Sequence, residues 1–205
     1  MPRFAIFAYV VFAALAFGWR SWVQYRRTGS TGFRGLSGRP GSLEWFGGVS
    51  FAVTCVVAAA APVCDLLGIV PRFAALDGPA FRFTGVVLFT VGLVATLWAQ
   101  MAMGISWRIG VDPTEETPLV TRGPFRLVRN PIFTAMGLAI AGLVFLVPNA
   151  VSILGLVPLV LGLELHVRLV EEPYLLGVHG EAYRRYASST GRFLPGLGQM
   201  HAASK

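Results

Sequence analysis

The chain has 205 residues, 55% of them hydrophobic and only 13% charged, with a mean hydropathy of +0.64. So little polar surface cannot cover a water-soluble globule, which excludes a soluble domain and points to an integral membrane protein. The net charge of +7 and pI of about 10.2 need no nucleic acid, because basic loops facing an anionic cytoplasmic leaflet account for them.

The first apolar run, residues 4–23, is long enough to cross a hydrocarbon layer of about 30 Å. Arg20, near its end, is expected to snorkel to the headgroups. A cleaved signal peptide is the alternative, since Arg3 precedes the run and Ala14-Leu15-Ala16 resembles a processing site, but the apolar stretch continues beyond it. The Gly/Ser/Arg segment 29–42 reads as a mobile loop and lacks the G-K-[ST] of a phosphate-binding loop. A second span covers 43–70, with Pro62 as an expected kink and Asp65 near one end. Its Cys55 and Cys64 lie about 13 Å apart along a helix axis, too far for a disulfide, and read as packing residues. A third span covers 81–105.

Residues 103–133 are too long for a simple connector and combine Trp107, Arg108, Gly123, Arg126, Arg129 and Asn130 with the turn-forming pairs Gly123-Pro124 and Asn130-Pro131. Pro131 is suited to start the next helix, whose free N-terminal amides would favour an anionic group. Spans four and five, 132–147 and 151–170, form a hairpin turned by Pro148-Asn149-Ala150, short enough that a thin or tilted hairpin is expected. Arginines cluster after spans one, three and five, with only Arg3, Arg72 and Arg82 on the other side. The positive-inside rule therefore predicts five helices running from an outside N-terminus to a cytoplasmic C-terminus, as in a bacterial inner membrane.

Span five ends in unusual charge. Projected at 100° per residue, Glu164, Arg168, Glu171 and Glu172 share one face and His166 falls opposite. A mutually paired ladder at the interface is one reading; because ionisable groups inside a membrane segment are costly, a functional site is the other. Pro173 disfavours helical backbone at Glu172, so a bend is expected at the acidic pair. The stretch beyond it, with Leu175, Leu176, His179, Tyr183 and Tyr186 at helical spacing, reads as a cytoplasmic interfacial helix weakened by Gly177 and Gly180. His166, His179 and His201 show no metal-ligand spacing, and no metal site is expected.

The segment TRGPFRLVRNPIF, then a membrane hairpin, then RLVEEPYLLGVHGEAYRRYASSTGRFLP resembles the isoprenylcysteine carboxyl methyltransferase family, part of a larger group that includes phospholipid methyltransferases. The resemblance spans about residues 104–195, within a single integral membrane domain of residues 1–205 whose helices at 4–23 and 43–70 are less specific. It implies S-adenosylmethionine on the cytoplasmic side and a lipophilic small-molecule acceptor, such as an isoprenoid-type carboxylate, entering from the lipid bilayer. Family roles carry over to Arg168 and Glu172 as catalytic residues and to Gly123, Arg129, Asn130, Phe133, Glu171, Tyr183, Tyr186 and Arg192 as the cofactor surround. Asn130 stands where the family usually has His, and Phe133 where Tyr is common, so two polar contacts to the cofactor are altered. Two other classes remain open: a membrane enone or sterol-type reductase using NADPH, and a non-enzymatic scaffold or small transporter.

Overall fold

The computed structural model describes residues 1–33, 35–36, 38–110 and 117–200. These residues form an all-helical bundle, joined by turns and isolated β-bridges. Helices α1 (Pro2–Thr28), α2 (Leu43–Leu66), α3 (Pro79–Met103) and α5 (Ala150–Ser189) are long and apolar enough to cross a membrane. Helix α4 (Pro131–Leu146) is also apolar but has 16 residues, about 24 Å at 1.5 Å per residue, so the short arm expected from the sequence is present.

Local chemistry sets where these helices begin. Ser42 caps α2 by accepting from the Trp45 amide at 3.2 Å, and prolines occupy the first turns of α1, α3 and α4, where a missing N–H costs nothing. Asn149 and Ser152 form a reciprocal capping box at the start of α5, and the Asn149 amide also donates to the Ala61 carbonyl at 3.1 Å, fixing the hairpin tip against the end of α2.

Helices α3 and α4 meet backbone to backbone because their shared face is built from small residues. A Cβ added at Gly92 would lie 2.5 Å from the Ala139 nitrogen, and one at Gly142 would lie 2.5 Å from the Phe89 nitrogen. Lipid supplies no hydrophobic drive between helices, so close packing of this kind must hold the pair. The face of α1 carrying Ala5, Ala8, Phe12 and Ala16 packs into the same core, against Phe89, Met136 and Leu143. Helix α2 lies instead against α5, where a Cβ at Gly47 would come 3.0 Å from the His166 nitrogen.

Arg20 does not snorkel. It is fully buried, because α1 runs on to Thr28 and Arg20 thus faces the end of α3 instead of the headgroups. It donates to the Gly104 carbonyl at 2.6 Å and the Gln24 side chain at 3.1 Å, and its guanidinium sits 4.4 Å from the Trp107 ring centroid. The carbonyls at a helix C-terminus are unsatisfied and carry the negative end of its dipole, which suits an arginine with no carboxylate partner among these contacts. Gln24 donates to the Ile105 carbonyl at 2.7 Å and Gln100 to the Ala16 carbonyl at 2.9 Å, completing a polar latch between α1 and α3.

Part of the Gly/Ser/Arg segment expected to be mobile is held in place. The Gly32 carbonyl accepts from the Ile109 amide at 2.7 Å, and Gly32, at φ 77°, brings the backbone against Trp107 where a Cβ would be crowded at 3.1 Å. Arg34 and Ser37 lie outside the described residues, as do residues 111–116 of the loop after α3.

Helix α5 departs most from expectation. The backbone is helical through Glu171 (φ −72°, ψ −49°) and Glu172 (φ −63°, ψ −45°), so the acidic pair marks no break. Val167–Glu171 instead adopt a wider π-helical turn, in which the Glu172 amide donates to the Val167 carbonyl five residues back. That wider turn accommodates the ring of Pro173, which a regular turn would press against the Leu169 carbonyl. The non-helical backbone occurs later, at Gly180 (φ 51°, ψ −122°).

Candidate functional site

A cavity of about 830 Å³ opens where all five helices and the loop after α3 converge. One wall is apolar and comes from α1 and α2, with Phe17, Phe51, Ala52 and Cys55, together with Met136 and Leu163. The other wall is polar and comes from the start of α4 and the distal half of α5, with Arg129, Asn130, His166, Glu171, Glu172 and Tyr183. The Tyr9 hydroxyl, also on the wall, donates to the Cys55 carbonyl at 2.8 Å and ties α1 to α2 beside the chamber.

Glu172 organises the polar wall. Its side chain is 7% exposed and accepts from Arg129 at 2.7 Å and from Arg192 at 2.8 and 2.9 Å. The hydrogen bond to Glu172 raises the Arg192 pKa further above its ordinary value, so that guanidinium stays charged. Arg129 also donates to the carbonyls of Ala187 at 2.8 Å, Thr190 at 2.5 Å and Gly198 at 2.9 Å. The strand-like pairing of residues 128–130 with 191–192 supplies the frame, through Arg129 N–H to Gly191 and Asn130 N–H to Arg192 carbonyl bonds of 2.8 and 3.1 Å. One carboxylate therefore joins the segment before α4, the start of the distal half of α5 and the C-terminal strap.

The π-helical turn sets the rest of the wall. On a regular helix His166 projects away from Glu171, but a π turn brings residues five apart into line. His166 Nε2 accordingly lies 3.4 Å from Glu171 Oε1, and both residues face the cavity. The Phe133 ring meets the His166 ring edge to face at 6.1 Å. The expectation that His166 points opposite to the carboxylates is thus corrected by the change in helical period.

Of the residues singled out from sequence, Arg129, Asn130, Phe133, Glu171, Glu172, Tyr183 and Tyr186 line this cavity. Asn130 spends its amide nitrogen on the Arg192 carbonyl at 3.2 Å, and the Tyr186 hydroxyl donates to the Phe125 carbonyl at 2.6 Å. Gly123 opens the turn Gly123–Arg126 at φ 60° and, like Arg192, lies behind the wall. Arg168 is also off the wall; its side chain is 57% exposed and forms a close ion pair with Glu164 one turn earlier. The charged end of α5 therefore holds an exposed pair, a cavity pair and a buried triad, with Glu164 of the exposed pair also reaching Arg192 of the triad at 4.0 Å.

Sequence reasoning missed the contributions of α1 and α2, whereas Trp107 and Arg108 of the loop after α3, both singled out from sequence, do line the cavity, the Arg108 guanidinium 5.1 Å from the Tyr174 ring centroid. An apolar residue facing a chamber reads the same as one facing lipid, so composition carries no signal for these. Tyr9 within an apolar span was a usable hint, because a buried hydroxyl needs a partner. Among the described residues, no group of histidine, cysteine and carboxylate side chains is arranged to hold a metal ion.

Residues 81–182 match the family model described as phospholipid methyltransferase. The match begins at the start of α3, ahead of the region marked by the sequence motifs, and ends before Tyr183, Tyr186 and Arg192. No curated protein matches the chain.

Proposed function

We propose that this chain, whose residues 81–182 match the phospholipid methyltransferase family, the family of isoprenylcysteine carboxyl methyltransferase-like membrane methyltransferases, transfers a methyl group from S-adenosylmethionine to a lipophilic acceptor at the cytoplasmic face. The observation that carries this reading is one cavity with a polar wall from α4 and α5 and an apolar wall from α1 and α2. Its volume of about 830 Å³ lies within the roughly 300–1,000 Å³ typical of small-molecule sites.

The lining suits the cofactor chemically. Glu171 offers a carboxylate to a sulfonium or ammonium group, Asn130 retains its carbonyl oxygen as an acceptor, and Phe133 offers a ring to a base. Phe133 supplies no hydroxyl, so that contact must come from elsewhere on the wall. Bound there, the cofactor supplies an electrophilic methyl group, and transfer depends on in-line alignment and exclusion of water. The apolar wall receives the acceptor's hydrocarbon portion, whether its reacting group is a carboxylate, an amine or a hydroxyl.

Glu172 acts in this reading as a positioning residue that fixes Arg129 and the C-terminal strap. Arg168 acts on the acceptor by exchanging Glu164 for the acceptor's polar head, a role open to an exposed guanidinium with a planar donor fork. The arginines in the last turn of α1, in the loop after α3 and in the distal part of α5 support an orientation with this end of the bundle toward the cytoplasm, where the cofactor is found.

A thermal-shift measurement tests the cofactor assignment. S-adenosylhomocysteine should raise the Tm of the detergent-purified protein while NADPH leaves it unchanged, because only a ligand that prefers the folded state stabilises it. Stabilisation by NADPH alone would make the protein a membrane reductase.

A further inference from the structure

Resting on the methyl-transfer reading above, we infer that His166 takes the acceptor's proton while Glu171 holds the imidazole, so that the acceptor reacts through a proton-bearing oxygen or nitrogen, as in a lipophilic phenol or amine. Three observations converge on this pair. The π-helical turn Val167–Glu171 brings His166 and Glu171 together although they are five residues apart. Both side chains line the cavity while keeping modest exposure, 13% for His166 and 27% for Glu171, so they are neither sealed into the core nor lost to bulk solvent. The His166 ring also packs against Phe133, at the start of α4 where the cofactor is placed.

The neighbours make the pair distinct. Glu172, next in sequence, is committed to Arg129 and Arg192, whereas Glu171 faces the His166 Nε2 at 3.4 Å, placed to accept from a neutral imidazole. Helix α2 presses on this part of α5 through Gly47, and Phe51 also faces the chamber, neither of them titratable; α4 presents Phe133. The titratable groups on the same wall are Glu171, Glu172, Arg129, Tyr174, Tyr183 and Tyr186, with Arg108 against the Tyr174 ring at 5.1 Å and Tyr9 and Cys55 on the apolar wall. A carboxylate acceptor would meet the Glu171 charge and needs no base, whereas a phenol or amine must lose a proton as it is methylated.

The step balances as follows. A lone pair on the acceptor's oxygen or nitrogen forms the new bond to the sulfonium methyl carbon. The carbon–sulfur bond breaks, its electron pair remaining on sulfur, which becomes a neutral thioether. The acceptor's proton passes to Nδ1 of His166, the ring nitrogen not turned toward Glu171. The positive charge that began on sulfur ends on an imidazolium beside the Glu171 carboxylate, and the proton then leaves to water.

The test compares wild type, His166→Gln and Glu171→Gln in detergent. Transfer of label from methyl-labelled S-adenosylmethionine is measured to 4-dodecylphenol, dodecylamine and dodecanoic acid, alongside the Tm shift with S-adenosylhomocysteine and the titration of the His166 ring by NMR of nitrogen-15-histidine protein. The phenol or the amine should be labelled and the acid should not. His166→Gln should lower kcat roughly 100-fold to 10,000-fold with the S-adenosylhomocysteine-induced shift retained, as for loss of a general base. Glu171→Gln should lower the midpoint of the His166 resonance, assigned by its absence in His166→Gln. Labelling of the acid alone, or undiminished kcat in His166→Gln, would overturn the inference. If no probe is labelled, an unchanged His166 midpoint in Glu171→Gln overturns it and a lowered one supports it. Absence of an S-adenosylhomocysteine shift in the wild type itself would instead remove the methyl-transfer reading.

Discussion

The charged residues at the end of α5 have unequal work, and their burial separates them. Glu172 sits between two guanidiniums with little solvent, so Glu172→Gln would leave both arginines without their carboxylate. Breaking such a buried group from one side costs about 3–5 kcal/mol, which should appear as a large drop in the denaturation midpoint in detergent. Arg168→Ala disrupts only an exposed pair with Glu164 and should cost no more than about 0.5 kcal/mol. It should nevertheless reduce turnover at least tenfold, without restoration by Arg168→Lys, because lysine lacks the planar fork. Unchanged turnover in Arg168→Ala would confine that residue to its surface pair. The sequence placed Arg168 and Glu172 together on one face because it assumed a period of 3.6; the π-helical turn changed that period and sent them to different partners.

Element by element, the helices follow their apolar runs and caps; the boundaries of α2, α3 and α4 were legible to within a few residues, whereas α1 runs on to Thr28 and α5 continues through the expected bend to Ser189. The small-residue seam between α3 and α4 was not, since Gly85, Gly92 and Gly142 are unremarkable in a glycine-rich apolar chain until the facing backbones are known. Gly92→Val should lower stability by about 1–3 kcal/mol or more, as overpacking forces two backbones apart, with the loss read from thermal unfolding in detergent. At the opposite end from the cavity, Arg72 bonds Asp65 at 2.7 Å and Asp77 at 3.0 Å, and Arg82 also reaches Asp77 at 3.0 Å. Desolvation works to raise the Asp77 carboxyl, but the hydrogen bonds from Arg82 and Arg72 outweigh it and hold the pKa below the usual range. A depressed folded-state pKa contributes stability above the unfolded value of about 3.9, and that contribution is lost as the pH falls through the folded value. Asp77→Asn should therefore flatten the acid limb of a plot of Tm against pH, while leaving the bound-homocysteine increment unchanged.

For the whole molecule, the five-helix plan and the polar half of the chamber were readable because charge inside an apolar chain is conspicuous and the motifs fall in order. The apolar half was hidden: Phe17, Phe51 and Met136 face a cavity only because α1 is held against the end of α3 by Arg20 to Gly104, and α2 against α1 by Tyr9 to Cys55 and against α5 at Gly47. The resulting chamber makes the central claim directly measurable. Sealed inside-out and right-side-out vesicles containing the protein and a lipid extract from its host membrane are given methyl-labelled S-adenosylmethionine, which does not cross the bilayer, and lipid-soluble label is counted. The account predicts label in the lipid fraction of inside-out vesicles and none in right-side-out vesicles until detergent opens them. Label formed in sealed right-side-out vesicles, or none in either preparation when the protein binds S-adenosylhomocysteine, would contradict it.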